Sequence, residues 1–205
     1  MASQTPAKIV VIDLNETFYL KSSKEEFYKF IVSKEPRRIG FIFEMAYFKL
    51  LKNLNRMRQT EFKENFFNYL DNLPPEKVAA YAQEFWRREY PRNFNNQIIE
   101  RLQQAKSRGE EVFCATGGLE VYVKPLFDIF PVDGLAGTKT TFTGTTYKVA
   151  GEACKGEEKV RRVKEHYNNK PFIITESYSD RYEELFEITE KPFLVDNGKI
   201  EPYSE

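Results

Sequence analysis

Three short runs of this sequence put polar residues where chemistry could be done: Asp13-Leu14-Asn15-Glu16-Thr17, Thr116-Gly117-Gly118, and Glu176-Ser177-Tyr178-Ser179-Asp180. Asp13, Glu176 and Asp180 are hard oxygen donors of the kind Mg²⁺ takes. A threonine hydroxyl beside two glycines offers a donor plus backbone N–H groups that can approach a phosphate closely. A carboxylate at a strand end can act as a covalent nucleophile. It can also be no more than the cap of the helix that follows.

The surrounding pattern says how such runs would be positioned. Residues 8–12 (KIVVI) are a β-branched run ending at Asp13, the pattern of a buried parallel strand. A second strand is expected at Glu111–Ala115, leading into Thr116, a third at Phe172–Thr175, leading into Glu176, and a last at Pro192–Val195. Residues 133–151, rich in Gly and Thr, read as a β-hairpin. Helices are expected at Ile98–Lys106, stopped by Arg108-Gly109, and from about Gly156 to Tyr167. Strands alternating with helices imply a doubly wound, mostly parallel α/β sheet whose strand ends meet at one crevice.

Between the first strand and Ile98 the character changes. Gly40 is the one glycine from Ser22 to Tyr90, and apolar residues recur at helical spacing, as in Phe62, Phe66, Phe67, Tyr69 and Leu70. Pro74-Pro75 breaks the run, and Val78, Tyr81, Ala82, Phe85 and Trp86 form a further helical stripe. Three or four helices are expected. The division is an α/β core over residues 1–20 and 95–205 with a helical cap at 21–94.

Together these runs resemble the haloacid dehalogenase superfamily, and within it the phosphoserine-phosphatase-like branch. Ile9–Thr17 is similar to its first motif, a hydrophobic strand followed by Asp-x-Asp-x-Thr, and Val112–Pro125 (VFCATGGLEVYVKP) to its second. Cys154–Lys159 (CKGEEK) is similar to the third, a lysine at a helix start, and Glu176–Asp180 to the fourth, usually Gly-Asp-Ser-x-x-Asp. The helical insertion sits where that branch carries its cap. The resemblance implies a phosphomonoesterase in which Asp13 attacks phosphorus and forms an aspartyl-phosphate. Thr116 and the Gly117 N–H would hold phosphoryl oxygens, and a lysine, Lys155 or one turn on Lys159, would neutralise charge. Asp13, the Asn15 backbone carbonyl, Glu176 and Asp180 would meet Mg²⁺.

Two residues depart from the family's pattern. Its second aspartate, which protonates the leaving oxygen and then activates water, is Asn15 here, and an amide cannot supply the roughly 10²–10⁴-fold that general acid–base catalysis contributes. The fourth motif's Gly-Asp is Thr175-Glu176. Three readings stay open: a slow phosphatase restricted to good leaving groups, a non-catalytic relative binding a phosphorylated ligand or a protein partner, and a dehalogenase-type hydrolase.

Composition narrows the partners. Lys and Arg, 31 in all, balance 31 Asp and Glu over 205 residues, so no net field favours nucleic acid or an anionic membrane. The N-terminus shows no signal-peptide pattern, and Phe41–Leu51, the most apolar stretch, is interrupted by Glu44 and Lys49 and is far short of a membrane span. Two cysteines, Cys114 and Cys154, give no disulfide framework, so a cytoplasmic setting is expected, and the resemblance implies a small phosphorylated substrate. His166 reads as a surface residue, Phe85 and Trp86 as cap core, Arg37, Arg38, Arg56 and Arg58 as a solvated face or as contacts to an anionic substrate, and Phe27, Tyr28 and Phe30 as packing or pocket lining.

Overall fold

A computed structural model describes residues 5–168 and 170–204. Its centre is a six-stranded sheet in the order β3-β2-β1-β6-β7-β8. The strands are β1 (Ala7–Ile12), β2 (Glu111–Leu119), β3 (Gly134–Thr138), β6 (Phe172–Ser179), β7 (Thr189–Asp196) and β8 (Lys199–Pro202). The first five are parallel to their neighbours, and β8 returns antiparallel to β7. A separate hairpin joins β4 (Thr140–Phe142) to β5 (Tyr147–Val149). The Gly/Thr-rich segment is therefore a core strand followed by a hairpin.

The sheet is covered on both faces, as the unbroken apolar run of β1 requires. Successive side chains point to opposite sides. Ile9 and Val11 join Phe113, Val163 and Leu185 on the face covered by helix α7 (Glu157–His166). Val10 and Ile12 join Val112, Cys114, Ile98 and Leu102 on the face covered by α5 (Asn96–Ser107). The Asn95 side chain caps α5 by accepting from the N–H groups of Gln97 and Ile98.

Between β1 and α5 lie four α-helices: α1 (Ser23–Lys34), α2 (Phe41–Asn53), α3 (Gln59–Phe66) and α4 (Pro75–Glu89), with short 3₁₀ turns among them. Pro75 opens α4, where its missing N–H costs no bond. The buried faces of α1, α3 and α4 belong to the same apolar cluster as Val10 and Ile12 of the sheet. Phe27 stacks on Tyr122 at 5.0 Å, in the short helix α6 (Glu120–Val123), and the Trp86 indole N–H donates to the Tyr122 carbonyl at 2.6 Å. Phe27, Tyr28 and Phe30 are thus packing residues, buried among aromatics.

Helix α2, which carries the apolar stretch Phe41–Leu51, packs little of it away. Met45 alone of its residues is buried, while Ile42, Phe43, Tyr47 and Leu50 are exposed. Among the described residues no helix is long and apolar enough to cross a membrane.

Candidate active site

Asp13 follows β1 directly, and its backbone N–H donates to the Tyr178 carbonyl of β6 at 2.9 Å, which extends the sheet register by one residue. The carboxylate is thereby fixed at the carboxyl end of the central strand, 8% exposed. Its partner is Lys159 in the first turn of α7, with Nζ 2.7 Å from Asp13 Oδ1. The same ammonium donates to both oxygens of Glu183, at 2.5 and 2.7 Å. Burial alone would discharge Lys159, but the two carboxylates hold its pKa above the ordinary lysine value. Two carboxylates facing one ammonium leave a surplus negative charge. Burial, reinforced by the Asp13 charge, accordingly pushes the Glu183 carboxyl up to about 7.

The lysine that reaches Asp13 is therefore Lys159, and Lys155 is exposed at the mouth of the cavity. The physical reason lies at Gly156, which turns the chain into α7 with φ +61° and ψ −135°, a conformation that only glycine adopts freely. The chain direction changes between the two lysines, and only the residue one helical turn inside points at the strand end.

Asp13, Asn15, Gly117, Gly118, Lys159 and Glu183 line a cavity of about 290 Å³. Thr116 is fully buried within β2, which runs on to Leu119 and does not stop at Ala115. Its Oγ1 accepts from the Gly118 N–H at 3.2 Å, shaping the turn that presents the two glycines. Thr138 braces this turn: its hydroxyl donates to the Gly117 carbonyl at 3.1 Å and accepts from the Cys154 N–H at 3.1 Å. Asn15 Oδ1 accepts from the Ser23 N–H at 2.7 Å and so supports the start of α1.

Glu176 is not brought to this site. Strand β6 continues through Ser179, four residues past its expected end, and Glu176 pairs in register with Val10, well before Asp13. Its carboxylate instead accepts from the Tyr178 hydroxyl and lies 3.7 Å from Arg108. The polar run Glu176–Ser179 stays in the sheet because its alternate side chains pack: Tyr178 stacks on Phe193 at 5.1 Å and is 1% exposed. Asp180 lies at the strand end but is ion-paired with Arg181. Of the four donors expected for Mg²⁺, Glu176 is thus withdrawn, and the Lys159 ammonium stands between Asp13 and Glu183. Among the described residues no three His, Cys, Asp or Glu side chains gather as a metal site. The residues as arranged do not fit the four-ligand Mg²⁺ set.

The sequence reading did not single out Glu183 or Lys63. Lys63, in α3, is 7% exposed and lines the same cavity. Its Nζ lies 3.4 Å from the point where a Cβ on residue 117 would sit, so glycine there leaves room for it. Burial, with the repulsion of Lys24 and Lys155, lowers the Lys63 pKa to about 7. Residues set aside by the sequence reading stay clear of this cavity. His166 is exposed, with its ring edge on Phe113, and Arg38 donates to the Tyr69 and Asp71 carbonyls at 2.9 Å. Cys114 and Cys154 are buried free thiols, and burial pushes Cys154 up to about 12, which keeps it an inert thiol.

Comparison with known proteins bears on the fold that carries this site. A Bordetella pertussis Tohama I protein of unknown function superposes with a TM-score of 0.78 at 19% identity, over 93% of this chain and 91% of that one. A phosphoserine phosphohydrolase-like protein from Francisella tularensis subsp. tularensis SCHU S4 gives 0.65 at 18% identity, over 94% and 88%. A phospho-aspartyl intermediate analogue of phosphoserine phosphatase gives 0.55 at 16% identity, over 85% and 78%. At these identities the likeness is one of fold. No match is found among curated protein sequences. The family model for haloacid dehalogenase-like hydrolases matches residues 10–182, most of the chain and all of the cavity's core residues except Glu183, and the protein belongs to that family.

Proposed function

We propose that this hydrolase cleaves phosphate monoesters through a covalent intermediate on Asp13, with a small phosphorylated molecule as substrate. The observation that carries the reading is the Asp13 carboxylate at the end of the central strand, held by Lys159 at 2.7 Å and facing the Gly117-Gly118 turn. In this reading residues 21–94 are a cap over a core of residues 1–20 and 95–205. The neighbours described as phosphoserine phosphatase and phosphoserine phosphohydrolase-like support the substrate class, and the absence of a disulfide framework supports a cytoplasmic setting.

Asp13 Oδ attacks phosphorus as the ester P–O bond breaks, giving an aspartyl-phosphate and an alcohol. Water then attacks that phosphorus, the bond to Asp13 breaks, and inorganic phosphate leaves. Lys159 lowers the repulsion between an anionic nucleophile and an anionic ester. The Gly117 N–H orients phosphoryl oxygens, and the Thr116 hydroxyl behind it fixes the turn by accepting from the Gly118 N–H. Asn15 supplies no proton, and its amide oxygen is engaged by the Ser23 N–H. That engagement favours one second reading, a relative that binds a phosphorylated ligand or protein partner without turning it over.

The test is hydrolysis of p-nitrophenyl phosphate and acetyl phosphate by the wild type and Asp13→Asn, each in EDTA and in excess Mg²⁺. Turnover that falls at least about 10³-fold in Asp13→Asn supports the covalent-aspartate reading. A wild type without turnover in either medium overturns it in favour of binding. Turnover only with Mg²⁺ would restore the metal expectation and require Lys159 to give up its present place between Asp13 and Glu183.

A further inference from the structure

Three buried cationic side chains occur among the described residues: Lys63, Lys159 and Arg162. Lys159 is bound to Asp13 and Glu183, and Arg162 to Glu158 at 2.8 Å and to two backbone carbonyls. Lys63 makes no hydrogen bond or ion pair with any described residue. Its stem is buried while its amine reaches the cavity, where the charged form is poorly solvated and an anionic ligand would be its partner. Its amine opens into the cavity that Asp13 lines, entering from the inserted helices, while Asp13 enters from the sheet. In-line attack by Asp13 would turn the ester oxygen away from the sheet, toward the inserted helices that carry Lys63.

From this placement the geometry points to Lys63 as the proton donor to the leaving oxygen, in place of the acid that Asn15 cannot be. The inference rests on the phosphatase reading and deepens it. In the first step the Lys63 ammonium gives its proton to the bridging oxygen as the P–O bond breaks and the P–Oδ bond to Asp13 forms. The alcohol departs with that proton, leaving a neutral amine. In the second step the amine takes a proton from the water whose oxygen attacks phosphorus, and the ammonium is restored as phosphate leaves.

The surroundings suit that cycle. Burial and the charges of Lys24 on α1, Lys155 before α7 and Lys159 on α7 all disfavour the ammonium, while Asp13 after β1 favours it. The net effect places the group at about 7, where an acid can release and recover a proton with equal ease. The other cations around the cavity are otherwise engaged or set apart. Lys24 lies over the Phe62 and Phe66 rings, Lys49 is paired with Glu25, Arg181 with Asp180, and Lys155 is exposed at the mouth.

The experiment compares the wild type, Lys63→Met and Lys63→Arg on p-nitrophenyl phosphate and on glycerol phosphate. A nitrophenolate leaves without help, whereas a glycerol alkoxide needs a proton. The loss in Lys63→Met is expected to be greater on glycerol phosphate by on the order of 10²-fold. Lys63→Arg keeps the charge but releases no proton near neutral pH, so it is expected not to rescue the alkyl ester. The alkaline limb of the wild-type kcat profile on glycerol phosphate should be absent from both variants. Equal losses on the two esters, or rescue by arginine, would make Lys63 a charge-stabilising group and overturn the inference alone. A wild type inactive on both esters would instead overturn the phosphatase reading and the inference with it.

Discussion

The chemistry proposed for Lys63 has a thermodynamic cost that can be measured without substrate. Its pKa in the folded protein is about 7 and in the unfolded chain that of an ordinary lysine. Above the unfolded value both states are neutral and nothing is lost. As pH falls from there the unfolded chain binds the proton first, so stability declines until the folded value is reached, and stays at that lower level below it. Lys63→Met keeps the stem's packing and removes the charge. It should therefore stabilise the protein by a few kcal/mol at pH 6.5, a gain that shrinks steadily by pH 9.5. Urea unfolding at the two pH values decides this, and a variant less stable than wild type at pH 6.5 would mean that the ammonium is held by a partner. A site residue whose loss stabilises the fold is a residue kept for its function.

Elements decide which of these residues could be foreseen. The β-branched run before Asp13 announces a buried strand, and a strand end is where an α/β sheet presents its chemistry, so Asp13 and the Gly117-Gly118 turn were legible. Glu176 was misplaced because Glu-Ser-Tyr-Ser reads as a loop. The tertiary partners that keep it in β6, Phe193 and the backbone of β1, come from elsewhere in the chain. Lys63 could not be found at all, since a lysine beside Phe62 in a short amphipathic helix looks like every solvated helix face. Lys155 and Lys159 lie one turn apart in sequence, and the backbone at Gly156 chooses between them. Replacing Gly156 by alanine forces its unusual φ/ψ on a residue with a Cβ and brings that Cβ within 3.2 Å of Glu184. A loss of about 1–3 kcal/mol is expected, together with weaker sulfate binding as α7 and Lys159 shift. Asn95→Ala removes the α5 cap for about 1 kcal/mol and lies outside the cavity lining. Titration calorimetry with sulfate should find that variant unchanged. Equal weakening in both would show that general loosening, not the aim of Lys159, governs anion binding.

At the scale of the whole molecule, the inserted helices cannot stand alone. Helix α3 has eight residues and α2 buries one, while α1, α3 and α4 place their apolar faces in the cluster that also covers Val10 and Ile12 of the sheet. Helices this short are not stable in water without tertiary contacts. The joint is drawn tight by Trp86, which is fully buried, packs edge-on against Tyr19 at 5.3 Å and donates to the Tyr122 carbonyl. A lid that swings freely would have to break this joint, so any opening of the cavity falls to α2, of whose residues Met45 alone is buried. Trp86 is the single tryptophan of the chain and therefore reports on the joint by itself. Its fluorescence and the far-UV circular dichroism should follow one urea transition with the same midpoint, because neither layer keeps its core without the other. Trp86→Ala should cost about 3–5 kcal/mol and lower that midpoint without splitting the transition. A tryptophan transition preceding the loss of secondary structure would mean that the insertion is an independently folding cap, and the shared cluster an interface between two domains.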